Sequence, residues 1–466
     1  MSNSQELAAA LRRDVAGLEV VEDPSAIEAR SRDYWMRSLL ESRLHGAPRA
    51  AALVRPASAA QVADVLAFAD RTRTPVTPYG LGSGVCGGVL AQGNEIILDL
   101  SRMDRLLAVD ENTLTATVQP GMRGSDYEDA LAARGFTMGH WPQSIAISSV
   151  GGWCATRASG QLSTLYGNIE QMLLGAEVAL AGGKLLRLPP VPRSATGPDL
   201  KHLFLGSEGT LGVFTELTFR IHAAPEKKRG SAFVLPSVRA GLEALRKVMR
   251  SGWTPAVTRL YDEIEAGRNF AGVAGGKPVL LIMSEGAASR VDAEAAAIAA
   301  IVAGEGGSDQ GEEPVLSWLE HRNKVPTFER LLDQGLVADT IEVAIDWNRI
   351  GDLFEAVTAR GARIESVFAM SGHVSHCYTQ GANIYFTFVA AQSDLAAAVR
   401  TYDEAWKTTI ETTIELGGTI AHHHGIGRVR KPYMTRELGE GVELLRALKR
   451  TFDPNGILNP GVLVDA

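Results

Sequence analysis

Three glycine-dense segments constrain this chain more than any other feature: PYGLGSGVCGG at 78–88, SSVGGWCATRASG at 148–160 and GSEGTLGV at 206–213. Glycine reaches backbone conformations closed to other residues and lets a ligand approach the main chain closely, at an entropic cost that a chain does not bear three times without a use. The first segment contains Gly82-x-Gly84-x-x-Gly87, formally a dinucleotide fingerprint. That motif works only when a helix follows directly, so that its N-terminus meets the pyrophosphate. Here Gly87 and Gly88 lead instead into the strand-like EIILDL, and a Rossmann site is excluded.

A glycine turn between two strands can still hold a diphosphate, because successive N–H groups converge where no Cβ intervenes. Ser83 adds a hydroxyl donor. The second segment, introduced by Pro142, spreads Ser148, Ser149, Gly151, Gly152, Ser159 and Gly160 along a stretch too glycine-broken for a helix. Three such loops in one half of the chain have a shared explanation in a large flat cofactor carrying a diphosphate.

Composition narrows the partners. Of 466 residues, 46 are Lys or Arg and 54 are Asp or Glu, a net charge of −8, which disfavours binding by phosphate neutralisation and hence nucleic acid. Three cysteines, Cys86, Cys154 and Cys377, are too few for a disulfide framework and point to a reducing compartment. No apolar run approaches the roughly 20 residues needed to span a bilayer, no signal-peptide pattern opens the chain, and its last residues, LVDA, are no peroxisomal address, so a cytoplasmic location is expected.

Hydrophobic periodicity divides the chain into a helical arm over 1–45, a glycine-loop domain over 46–225, a second α+β domain over 226–430 and a C-terminal helical segment over 431–466. Ser58–Arg73 reads as a Ser-capped helix, SVRAGLEALRKVMRSG, SRVDAEAAAIAAIVAGEGG and GVELLRALKRTFD as further helices, and VTRLYD, KPVLLIMSEG and NIYFTF as strands. The acidic, glycine-rich 304–313 reads as a solvated loop.

The order of the glycine segments, with YGNIE between the second and third, resembles the FAD-binding domain of the vanillyl-alcohol-oxidase (PCMH-type) superfamily. The resemblance implies an α+β protein: a two-subdomain FAD-binding domain, an α+β cap domain that carries the substrate, and a C-terminal segment returning to the flavin. It also implies FAD contacts at Pro78, Gly80, Gly82, Ser83, Gly84, Gly87, Gly88, Pro142, Ser148, Ser149, Gly151, Gly152, Ser159, Gly160, Tyr166, Gly167, Glu208, Gly209 and Val213. Some relatives attach flavin through a histidine of the first loop. None occurs between Thr74 and Leu100, so non-covalent FAD is expected.

Five of the ten histidines fall in two short segments, His373 and His376 in SGHVSHCYTQGANIYFTF and His422, His423 and His424 in GGTIAHHHGIGRVRK. Imidazole suits proton removal near neutral pH, although three in a row spread in different directions and at least one should face away from any site. The same groups could ligate zinc. The resembling D-2-hydroxyacid dehydrogenases, however, place a glutamate of their metal site where His423 stands, so no metal is expected.

Over about 50–466 the chain resembles the alkylglycerone-phosphate synthases more closely than it does those dehydrogenases. That resemblance implies active-site roles for Tyr385 and His422 to His424, and places Arg259 near the flavin. The synthases' cap arginine for an acidic headgroup has no match: Phe328 stands there, with Arg330 and Arg322 nearby. Two chemistries follow, with a homodimer as a family expectation. In the first, a small hydroxylated substrate, a 2-hydroxy acid or alcohol, is oxidised by hydride transfer to flavin N5 with His and Tyr385 as acid and base, and the electrons pass to an unspecified acceptor. In the second, an alkylglycerone-phosphate synthase-like exchange replaces acyl by alkyl on dihydroxyacetone phosphate through a flavin N5 adduct. A flavoprotein without turnover is a third class, against which the histidine concentration argues.

Overall fold

The computed structural model describes residues 3–325 and 327–465. Strands Ala52–Arg55 and Val76–Tyr79 both run parallel to Ile96–Asp99, which lies between them. Their near-continuous apolar runs are the pattern of a sheet covered on both faces. Helix Ala59–Thr72 makes the crossover, with Val62, Val65, Leu66 and Ala69 buried and the Ser58 hydroxyl accepting from the Gln61 N–H at 3.2 Å, as its sequence predicts. The N-terminal residues are more than a helical arm: between helices Asn3–Asp14 and Pro24–Arg30, the strand Glu19–Val21 pairs antiparallel with Ala52–Arg55.

A second, five-stranded antiparallel sheet follows, in the order Leu106–Asp110, Thr115–Val118, Val213–Arg220, Leu173–Ala179 and Leu185–Leu188. The stretch expected to be too glycine-broken for a helix contains one, Val150–Thr156, because the Ser149 hydroxyl caps it through Gly152 N–H and Gly151 fits where a Cβ would stand 2.6 Å from Pro120.

Residues after Pro225 form a seven-stranded sheet in which every pairing is antiparallel, in the order Ser308–Asp309, Lys227–Val234, Val279–Gly286, Val257–Tyr261, Val367–Val374, Gly381–Ala391 and Leu336–Asp346. The 304–313 segment therefore carries a short edge strand within its loop. Successive side chains point to opposite faces of a strand. Leu260, Leu280, Ile282, Ile341, Val343, Ile384, Phe386 and Phe388 accordingly pack with the helices Val238–Arg250, Ala288–Gly304, Ile350–Gly361 and Leu395–Glu415. The intervening residues face the glycine-loop half, where Val257, Tyr261, Val279, Leu281 and Met283 share a core with Tyr166, Phe214 and Phe219. Arg259, Glu342, His373 and Tyr385 belong to this second register and are thereby aimed between the two halves.

The C-terminal residues return as the resemblance implied. Ile457 carbonyl accepts from Val76 N–H at 2.7 Å, extending the parallel sheet, and the Asn459 amide donates to the carbonyls of Gly88 and Glu208.

Candidate active site

Between the two halves lies a cavity of about 1010 Å³, at the upper end of the range for small-molecule sites. One wall is made by the glycine loops: Pro78, Gly80, Gly82, Ser83, Gly84, Gly88, Pro142, Ser148, Ser149, Gly151, Gly152, Ser159, Glu208, Gly209 and Val213 all line it. The opposite wall is the second face of the seven-stranded sheet with the loop after its last helix, and includes Arg259, His373, Tyr385, His423 and His424.

The glycines there are dictated by geometry. Gly82 and Gly209 have φ of +74° and +73°, and a Cβ would meet the Tyr79 hydroxyl at 2.1 Å in one case and the Pro78 ring at 2.8 Å in the other. At Gly84 the nearest neighbour of a Cβ would be a carboxylate oxygen of Asp33 at 3.2 Å. Asp33, unremarked in the sequence, is buried under this loop, accepts from Trp35 N–H and Val89 N–H, and is pushed up to about 7 by burial.

On the sheet side, Arg259 Nη2 donates to His373 Nε2 at 2.8 Å, and His373 Nδ1 lies 2.8 Å from Glu265 Oε2. A guanidinium can only donate, so Nε2 carries the lone pair and the His373 proton sits on Nδ1, donating to Glu265. Burial holds His373 below the usual histidine range, in keeping with this neutral tautomer. Arg259 also donates to the Tyr261 hydroxyl. Its guanidinium and that of Arg322 lie 5.3 and 5.6 Å from the Trp318 ring centre, and Arg322 stacks 4.5 Å over Trp141. Among the described residues neither arginine is in an ion pair. Arg322 Nη1 is buried without a hydrogen-bond partner, and burial pulls this side chain down to about 10. Arg268 and Lys324 line the same region.

The triple-histidine loop is held from both halves. Glu342, fully buried, accepts from the N–H groups of His422, His423 and His424 at 3.2, 3.2 and 2.6 Å, and pairs with the equally buried Arg430 at 2.8 Å. Glu208, whose backbone takes φ of +51° in the third glycine loop, accepts from Ile426 N–H at 2.7 Å and Gly427 N–H at 2.9 Å. It was expected as a cofactor contact; its carboxylate is engaged by these amides although it also lines the cavity. His423 and His424 line the cavity, whereas His422 lies behind them, its Nδ1 2.8 Å from His423 Nδ1 and its Nε2 2.6 Å from the Tyr378 hydroxyl. Of the three histidines that the resemblance places in the active site, His422 therefore stands off the cavity wall. Burial pushes His422 down to about 4 and His424 to about 3.

Tyr385 lies on the cavity wall, its hydroxyl accepting from Thr340 at 3.0 Å and its ring 6.0 Å from that of His423. Four expected contacts fall off the wall. Tyr166 donates its hydroxyl to Glu285 and packs its ring on Gly139, Gly167 abuts Gln171, Gly160 abuts the backbone of Trp141, and Gly87 packs on Trp35. Of the five histidines that the sequence offered as alternative zinc ligands, His376, His422 and His423 bring ring nitrogens within 4.8 Å of one another.

The model "FAD binding domain" matches residues 50–189, and "FAD linked oxidases, C-terminal domain" matches 224–463. The chain belongs to the FAD-linked oxidase family. It is 34% identical to the uncharacterized FAD-linked oxidoreductase YgcU of Escherichia coli (strain K12) over 97% of both chains. It is 30% identical to alkyldihydroxyacetonephosphate synthase of Dictyostelium discoideum, over 92% of this chain and 76% of that one, and 29% identical to glycolate oxidase subunit GlcD of Bacillus subtilis, over 88% of each. A solved alkyldihydroxyacetonephosphate synthase matches with a TM-score of 0.83 and 25% identity over 98% of this chain and 84% of that chain. The protein is therefore an FAD-linked oxidoreductase of the vanillyl-alcohol-oxidase fold.

The residues present fit FAD. A cavity of this volume, walled on one side by glycines at which a Cβ would protrude or collide and by Ser83, Ser148, Ser149 and Ser159, suits a long diphosphate-bearing ligand. No helix among the described residues is long and apolar enough to cross a membrane.

Proposed function

We propose that the protein oxidises a small 2-hydroxy acid, using FAD that is held by the glycine-loop wall without a covalent bond. The observation that carries this reading is the pair Arg259 and Arg322, two guanidiniums that share Trp318, face the cavity and are in no ion pair among the described residues. Uncompensated buried charge is costly, and a bound anion removes the cost. Bound FAD supplies the acceptor for the C–H electron pair.

The protein supplies orientation and a place for the proton. Arg259, itself positioned by Tyr261 and His373, and Arg322 hold the substrate carboxylate. Neutral His423 receives the hydroxyl proton, while Tyr385 and His424 close the wall beside it. The Glu342 and Glu208 amide contacts hold the histidine loop at a fixed height over the cavity, the kind of preorganisation that converts binding into rate. FAD should be released intact by denaturation, since no histidine lies in the first glycine loop.

A second reading, acyl-for-alkyl exchange on dihydroxyacetone phosphate, is favoured by one feature: Phe328, Leu331, Ala338 and Val389 give part of the cavity an apolar wall suited to an alkyl chain. The arginine pair would then hold the phosphate. The two separate in an anaerobic titration of the FAD-loaded protein. Bleaching by D-lactate or glycolate supports oxidation; fatty-acid release from an acyl dihydroxyacetone phosphate without bleaching supports exchange.

A further inference from the structure

His423 stands on the cavity wall, but the proton it takes cannot stay there, because burial and the neighbouring His424 hold its imidazole well below the usual histidine range. The structure offers a way out. His423 Nδ1 is 2.8 Å from His422 Nδ1, and His422 Nε2 is 2.6 Å from the hydroxyl of the half-buried Tyr378. Tyr378 in turn accepts from the Asn168 amide at 3.0 Å, and Asn168 accepts from Ser159 at 2.8 Å. His422 is off the cavity wall and none of these bonds serves the backbone of the loop, which Glu342 and Glu208 already hold.

We propose that His423, His422 and Tyr378 form a proton exit from the cavity to the surface between the two halves of the protein. The proposal rests on the oxidation reading above. In the resting enzyme His423 carries its proton on Nδ1 and donates it to His422 Nδ1, and His422 carries its proton on Nε2 and donates it to Tyr378. His423 Nε2 is then bare and able to act as base.

With FAD bound as the acceptor for the C–H electron pair, His423 Nε2 would take the substrate's hydroxyl proton. The His423 Nδ1 proton passes to His422 Nδ1, the His422 Nε2 proton passes to the Tyr378 oxygen, and the proton of Tyr378 passes to water. One proton enters and one leaves and no imidazole is left charged; both rings end in the opposite tautomer and regain the resting one by a ring flip before the next turnover. Asn168, donating to the Tyr378 oxygen at 3.0 Å, holds the hydroxyl in place and acts as a positioning residue.

Two measurements on the FAD-loaded protein test this. In 15N-histidine NMR, which needs no substrate, scalar coupling is expected between the Nδ1 atoms of His422 and His423, with His423 protonated on Nδ1. Absence of coupling, or His423 protonated on Nε2, overturns the proposal, as does one equivalent of a divalent metal in the purified protein, which would occupy these nitrogens. In stopped-flow bleaching by D-lactate or glycolate, Tyr378→Phe with full FAD content should slow the wild-type rate at least about tenfold, and added imidazole should restore it. An unslowed variant, or a slowed one that imidazole does not rescue, also overturns the exit. If neither acid bleaches the wild type, the oxidation reading fails, while the NMR coupling still decides the hydrogen-bond chain.

Discussion

Glu208 and Glu342 come from opposite halves of the molecule and grip the same short loop, Glu342 through the N–H groups of residues 422–424 and Glu208 through those of 426 and 427. The histidine wall is thus tied to the glycine-loop wall through backbone amides, in addition to the side-chain core that the two halves share. Glu342→Ala would strip the loop of its acceptor and leave Arg430, which is fully buried, without its carboxylate. Breaking a buried pair in this way costs about 3–5 kcal/mol. Urea unfolding of FAD-loaded protein should show a loss of that size, with Glu342→Gln losing less because it keeps an acceptor oxygen.

The buried histidines give the loop an acid limit. His422 and His424 have folded values of about 4 and about 3 against an ordinary value near 6.5, so the unfolded chain takes up protons first as pH falls. Their contribution is fully present above about 6.5 and is lost as pH drops through that window towards 4. The buried carboxyl of Glu208, raised to about 7, works in the opposite sense, its contribution fading as pH rises from 4.5 to 7. A His424→Gln variant should therefore lose less stability than wild type between pH 6.5 and pH 4.5, measured by urea unfolding at each pH.

Glycine at 82 and 209 is a steric requirement. Gly82→Ala would place a methyl on a positive-φ residue and against the Tyr79 hydroxyl, and Gly209→Ala would do the same against Pro78. The backbone penalty alone is about 1–2 kcal/mol. Each variant should bind FAD at least about tenfold more weakly by fluorescence titration, whereas Gly182→Ala, where a Cβ meets nothing within 4 Å, should bind normally.

Much of the fold was legible because it rests on local periodicity and close-approach glycines. The helix after Ser58 and the strand around Arg259 follow from spacing, and the residues of the glycine wall from the three loops together with the family resemblance. Helix Val150–Thr156 was not, because glycine propensity opposes it and the Ser149 cap and the fit against Pro120 are tertiary. Nor were Glu342, Asp33 and Arg430, single charged residues in ordinary strands or loops whose importance comes from burial. Tyr166 lies within a cofactor-like motif, yet its hydroxyl is used across the interface by Glu285. Arg322 could be proposed from its sequence neighbourhood, but its lack of an anionic partner is visible only once Trp141 and Trp318 are seen around it.

The most direct test of the substrate assignment follows flavin absorbance anaerobically in wild type, Arg322→Ala and Arg259→Lys while D-lactate, glycolate and their uncharged alcohol analogues are titrated. The account predicts bleaching by an acid but not by its alcohol analogue. In Arg322→Ala, half-bleaching should need at least about tenfold more acid, the cost of a lost charge-assisted hydrogen bond. Equal response to acid and alcohol, or an Arg322→Ala titration that overlays the wild type, would contradict it.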